Sequence, residues 1–188
     1  EIDVNKNQAK LVHPSKWNKL IKNRDVKLVD TRNIYEIPIG KFKRSINPHT
    51  NSFRDFPKKF KDLKIEKNNK IAMYCTGGIR CEKASAYLKS EGYKTVYQLE
   101  GGILNYLDYV NKNNLETLWS GECFVFDNRV TVNKDVKKGK YIQCHGCRRP
   151  ITKKDTKSNK YKKGISCPYC FNKRTKEQKS RSFSRQNQ

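Results

Sequence analysis

The stretch KIAMYCTGGIRCEKASAYL, residues 70–88, passes from an apolar run through a glycine pair into a helical pattern. Residues 70–75 read as a buried strand. Beyond Cys81, the residues Ala84, Tyr87 and Leu88 share one helical face, and Gly92 is a natural C-terminal stop. VKLVD (26–30) and KTVYQLEGG (94–102) read as two further strands. HPSKWNKLIKN (13–23), with Pro14 near its first turn, and ILNYLDYVNK (103–112) read as helices, and FRDFPKKFKDL (53–63) as a loop leading into a short one. Strands and helices alternating at this spacing imply an α/β fold, a parallel sheet with crossover helices.

Composition sets the bounds. A chain of 188 residues fits one ordinary domain plus a smaller appendage, and with 35% apolar residues its core is economical. No apolar run approaches a membrane span, so no membrane partner is expected, and EIDVNKNQAK carries no signal-peptide pattern. The chain begins without Met, which reads as a fragment or the remainder of something longer. Seven cysteines, four of them in two CxxC pairs, favour a reducing, cytoplasmic setting over a disulfide framework. Residues 134–188 carry eighteen Lys/Arg against three Asp/Glu, whereas residues 1–133 carry twenty-four against fifteen. A basic half beside a milder one points to a polyanionic partner. The excess of lysine over arginine, 31 to 11, is equally a compositional bias.

Cys75 stands where the strand ends and the helix is about to begin. Amides of such a loop and first helical turn lack intrahelical partners and converge on one anion. The helix dipole and the guanidinium of Arg80 favour thiolate over thiol there, while Gly77 and Gly78 permit the positive φ angles of a cradle. The alternative is a buried cysteine in an ordinary strand–helix turn. Cysteine-dependent phosphatases use Cys-x5-Arg, whereas Arg80 is at Cys-x4-Arg. A six-residue cradle of Cys75, Thr76, Gly77, Gly78, Ile79 and Arg80 suits a smaller sulfur species such as a persulfide. Cys81 reads either as a thiol that resolves an oxidised or persulfurated Cys75 through a disulfide, or as packing. Cys123 reads as a packed strand residue.

Cys144, Cys147, Cys167 and Cys170 form two knuckles separated by 19 residues, the spacing of a single tetrahedral zinc site. Four thiolates leave no open position, so the metal's role is structural, supplying folding energy to a segment too polar to build a core. His145 is a bystander inside the first knuckle. Arg148, Arg149, Lys153, Lys154, Lys162 and Lys163 flank this site as candidate RNA contacts. Tyr161, Tyr169 and Phe171 are available either for base stacking or for covering the metal core, the latter preferred for Tyr169.

DTRN.YE...GKFK.SINP at 30–48, MYCTGGIRCEKASAYLKSEGY at 73–93 and VYQLEGGILNYL at 96–107 resemble a rhodanese domain. More narrowly, FRDFP, CTGGIRCEKA, LEGGI and GECFVFDNRV resemble the rhodanese-type tRNA uridine hydroxylases, over residues 10 to 185. The resemblance implies an oxygen-dependent enzyme that makes 5-hydroxyuridine at wobble position 34 of tRNA, gripping the anticodon region. Cys75 then matches the family's essential cysteine, carrying a persulfide intermediate by analogy. Asp30 and Arg32 match its DTR element, which also reads as an end-of-strand ion pair. Molecular oxygen is a co-substrate by the same resemblance, and no flavin or iron site is recognised. Family members usually carry a further N-terminal domain, and Lys41, Arg44 and Ser45 depart from the pattern of related sequences. The alternatives are a plain sulfurtransferase carrying a Cys75 persulfide and a non-catalytic, zinc-dependent RNA-binding adaptor. The expected organisation is a rhodanese-like catalytic domain at 1–118, a β-rich connector at 119–140, a zinc module at 141–175 and a basic tail at 176–188, helical or disordered.

Overall fold

In a computed structural model that describes residues 8–186, the apolar run after Lys70 becomes an interior strand. In chain order the first unit contains β1 (Lys10–Val12), α1 (Pro14–Lys22), β2 (Val26–Asp30), β3 (Gly40–Phe42), α2 (Phe56–Lys61), β4 (Lys70–Tyr74), α3 (Ile79–Ser90), β5 (Val96–Leu99), α4 (Gly102–Lys112) and β6 (Trp119–Gly121). The parallel sheet runs β1-β5-β4-β2, with Asp30 opposite Tyr74 and Met73 opposite Gln98. The expected parallel α/β architecture is present, a sheet flanked by helices. Two pairings were not legible: the three-residue edge strand β1, and the antiparallel pair of β3 with β6. Trp119–Gly121, read as the start of a connector, is therefore a strand of this unit.

The two-residue period of a strand sorts β4 onto two cores. Ile71, Met73 and Cys75 pack with Phe56 and Phe60 of α2 and with Ala84 and Leu88 of α3. Tyr74 faces the other way, into an aromatic cluster with Phe42 at 4.9 Å and Trp119 at 6.2 Å between ring centroids. Trp17 of α1 and Tyr106 of α4 complete that cluster around Phe42. Side chains of this size stabilise by about 1.5–3 kcal/mol each when fully buried.

The chain divides into two compact units, and Phe124–Val132 with Lys138–Gln188 form the second. Its first CxxC pair lies between the antiparallel strands Ile142–Gln143 and Pro150–Ile151. Thr152 and Asp155 cap the turn that follows, the Asp155 carboxylate accepting from the Thr152 amide at 2.7 Å and hydroxyl at 2.8 Å. The basic tail is helical over Lys176–Gln186, here α5, and its last two residues lie outside the described ones. No helix among the described residues is long and apolar enough to cross a membrane.

Candidate active site

Cys75 leaves the C-terminal end of β4 and is almost wholly buried, with 2% exposure. The Gly78 amide donates to its Sγ at 3.1 Å. A hydrogen bond from the Cys81 thiol, together with the Arg80 charge and the amides of Cys81 and Gly78, outweighs burial and holds Cys75 down to about 6. Cys81 is pushed well up by its own burial and by its neighbour's negative charge. The pair is thus a thiolate and a thiol in contact. Thr31 Oγ1 lies 3.4 Å from Cys81 Sγ and also donates to the Tyr74 carbonyl, fixing Cys81 from behind.

Arg80 is closer to a carboxylate than the sequence suggested. Its guanidinium donates two hydrogen bonds, at 2.5 and 2.9 Å, to Glu36, which is fully buried. Glu36 also accepts from the Asn33 amide at 3.1 Å, and Arg80 donates to Thr76 Oγ1 at 3.2 Å. Desolvating a carboxylate costs several kcal/mol unless its oxygens are satisfied in this way. Arg80 is thereby held rigidly beside the loop, its charge shared between Glu36 and the Cys75 thiolate.

The rest of the cradle has two characters. Gly77 is exposed with open space where a side chain would be, and Ile79 is 70% exposed. Gly78 is buried at φ +101°, and its carbonyl accepts from Gln98 Nε2. From beneath, the first turn of α4 reaches the loop, where Ile103 and Leu104 amides donate to the carbonyls of Cys75 and Thr76. Cys123 is also here: burial pushes its thiol up to about 12, and it hydrogen-bonds Thr76.

Asp30 and Arg32 sit apart from the sulfur, as a fully buried pair. Arg32 Nε and Nη2 bond the Asp30 carboxylate at 2.9 and 2.6 Å, and Nη2 reaches the Gly40 carbonyl. The Tyr74 hydroxyl donates to the same carboxylate at 2.7 Å, and the guanidinium carbon stands over the Trp119 ring, 4.9 Å from its centroid. This cluster ties β2, β4, β3 and β6 together and so sets where β4 ends. The sequence reading missed Glu36, Thr31, Gly102 and the Cys123–Thr76 contact. Glu36 sits in the YE of the resemblance, but no spacing rule connects it to Arg80, 44 residues away.

In the second unit the sulfurs of Cys144, Cys147, Cys167 and Cys170 all lie within 4.8 Å of one another, and none is in a disulfide. Cys167 is 3.8 Å from both Cys147 and Cys170. Zinc–sulfur bonds of about 2.3 Å in a tetrahedron put sulfurs about 3.8 Å apart, so the donor set fits that metal. Ile151 and Tyr161 pack on the cluster, whereas Tyr169 is half exposed and bonds Asp155. The covering aromatic is Tyr161, not the Tyr169 that the sequence favoured. Arg148, Lys153, Lys154, Lys162 and Lys163 are exposed and Arg149 is half-buried. The Lys162 ammonium stands 5.3 Å over the Phe183 ring.

A parallel sheet that delivers a buried thiolate into the start of a helix defines an α/β domain built for sulfur chemistry. The rhodanese-like domain model matches residues 13–108, just over half of the chain, and the chain belongs to that family. Among solved structures, a rhodanese-like domain protein from Staphylococcus aureus is 24% identical, with 52% of this chain and 90% of that one covered at a TM-score of 0.44. The polysulfide-sulfur transferase of Wolinella succinogenes is 23% identical, with 60% and 81% covered at 0.44. A reduced CoADR-RHD from Bacillus anthracis is 22% identical at 0.47; the alignment covers 55% of this chain and 17% of that protein. These likenesses concern the fold. The rhodanese-like domain supports a sulfurtransferase-like or related activity.

Proposed function

We propose that this chain hydroxylates the wobble uridine of tRNA at C5, consuming molecular oxygen, with Cys75 as the reacting group. The observation that carries the reading is the union, in one chain, of the Cys75–Cys81 pair with a four-thiol module in a strongly basic unit. A wobble base already lies in a single-stranded loop, so presenting it costs little unstacking. Inserting one oxygen atom of O2 at a C–H bond reduces the other to water, which takes two electrons and two protons. A thiolate and a thiol becoming one disulfide supply both electrons and one proton, solvent supplying the second, and Cys75 with Cys81 are such a pair in contact. Cellular thiols then reduce the disulfide. Glu36 and Thr76 hold Arg80 beside the sulfur, and α4 fixes the loop carbonyls. Zinc is held by Cys144, Cys147, Cys167 and Cys170 and supplies folding energy only, in a reducing, cytoplasmic setting.

A Cys75 persulfide that passes sulfur to a small acceptor is the second reading, favoured by the tight cradle whose amide already bonds Sγ. Nucleoside mass spectrometry of tRNA from cells lacking the protein, complemented with wild type or Cys75→Ser, separates the two. Loss of 5-hydroxyuridine-derived nucleosides, restored by wild type and not by the variant, is the expected result. Unchanged nucleosides on deletion, with thiocyanate formed from thiosulfate and cyanide, would establish the sulfurtransferase instead.

A further inference from the structure

The helix α5 carries a cluster that the sulfur chemistry does not use. A cavity of about 610 Å3 lies against it in the second unit, lined by Gly146, Arg174, Gln178, Arg181, Ser184 and Arg185. The cations here are arginines, in a chain where lysine outnumbers arginine 31 to 11. A general lysine bias therefore does not account for them. Arginine differs from lysine in offering a planar fork that bonds phosphate oxygens in pairs.

The three are arranged, not scattered. Arg174 is anchored: Nη1 donates to the Gly146 carbonyl, and Nη2 donates to the Gln178 carbonyl at 2.8 Å and to Ser182 Oγ at 2.7 Å. Its Nε is buried without a partner. Arg185 donates to the same Ser182 hydroxyl at 3.2 Å. Arg181 and Arg185 are one helical turn apart, so their like charges share a face at a cost that a bound anion would reverse. Among the described residues no carboxylate is within ion-pair distance of either; Glu177, the acid on this helix, is bonded to Thr175 and interacts with Arg181 only through space. Exposed Lys173 and Lys176 extend the positive charge beyond what a single phosphate would neutralise. An extended polyanion is the occupant this fits.

We propose that Arg174, Arg181 and Arg185 form a binding site for the phosphodiester backbone of single-stranded RNA. The proposal rests on the reading of this chain as an RNA-modifying protein, but its test measures binding alone. The full zinc-loaded chain is titrated with a fluorescein-labelled, unstructured 12-nucleotide RNA between 50 and 200 mM salt. Arg181→Gln/Arg185→Gln should weaken binding on the order of ten-fold or more, since two charge-assisted contacts are lost. The slope of log affinity against log salt should fall by about 1.4, at about 0.7 per phosphate contact. Arg181→Lys/Arg185→Lys should keep that slope while losing affinity, and it guards against a folding artefact. Lys16→Gln/Lys19→Gln removes the same charge from exposed positions of α1 and should cost less. Equal losses from the two Gln pairs would overturn the site as mere net charge. Displacement of the RNA by millimolar inorganic phosphate at constant ionic strength would overturn it as a small-anion site. The hydroxylation reading stands or falls on the nucleoside assay whatever these titrations give, so the two failures are distinguishable.

Discussion

Cys75 illustrates how far a single side chain depends on its neighbours. Its position at a strand end was visible in the sequence, and so was a helix start to favour the anion. What holds its pKa at about 6 is first the Cys81 thiol, a contact that sequence spacing left open between packing and chemistry. The rate of Cys75 alkylation by iodoacetamide should therefore rise through a midpoint near pH 6. In Cys81→Ala the midpoint should move up toward the ordinary thiol value; a wild-type midpoint above pH 8 would refute the contact's role. The stability consequence has a definite sign. The folded pKa lies below the ordinary 9.0, so the thiolate's contribution is complete above pH 9 and is lost as pH falls toward 6. Glu36 is the converse lesson, since an acid in an unremarkable loop becomes the fixed partner of Arg80 only when β2 and β4 are adjacent.

At the scale of elements, the loop is a junction of two helices with one strand. The start of α3 gives amides to the sulfur, while the start of α4 gives amides to the carbonyls of Cys75 and Thr76. The second contact requires the glycine of LEGGI. A Cβ on Gly102 would stand 2.5 and 2.6 Å from those two carbonyl oxygens, and φ is +66°. Gly102→Ala should destabilise the fold by at least about 1–2 kcal/mol from the backbone conformation alone. It should also slow Cys75 alkylation by displacing the loop. Gly77→Ala, where a Cβ meets nothing within 4 Å, should be close to neutral in the same urea unfolding and alkylation measurements. Similar losses from both would mean that the close approach of α4 does not matter. The helices α3 and α4 were legible because their apolar faces repeat at helical spacing. The strands β1, β3 and β6, each of three residues, were not, because so short a run has no period to read.

The whole molecule has two kinds of core. The first unit buries aromatic and aliphatic side chains on both faces of a sheet. In the second the four cysteines cluster with Ile151 and Tyr161, and Phe124, Val125, Val130, Val132 and Ile165 are further buried aliphatic and aromatic residues, a small set for so basic a chain. A metal held by the four thiolates would supply the difference. The purified protein should contain one zinc per chain. Chelation should abolish amide protection around Cys144–Cys147 and Cys167–Cys170 while leaving that of β4 and β5 intact, as hydrogen exchange would report. Retained protection in the second unit after complete zinc removal would show that the metal is not structural.

The sequence by itself determined the alternation of strands and helices, the placement of Cys75 at a strand end, and the two knuckles. Each is a local pattern: a period of two or 3.6, a glycine pair, a spacing of three. Only the tertiary structure decided what the cysteine meets. Cys81 contributes a hydrogen bond, Cys123 arrives from 47 residues away to bond Thr76, and Glu36 fixes Arg80. It also decided that Arg174, Arg181 and Arg185 line one cavity. The physical reason is that a pKa, an ion pair and a binding cavity depend on distances across the fold, and such distances are set by which strands pair and which helices pack.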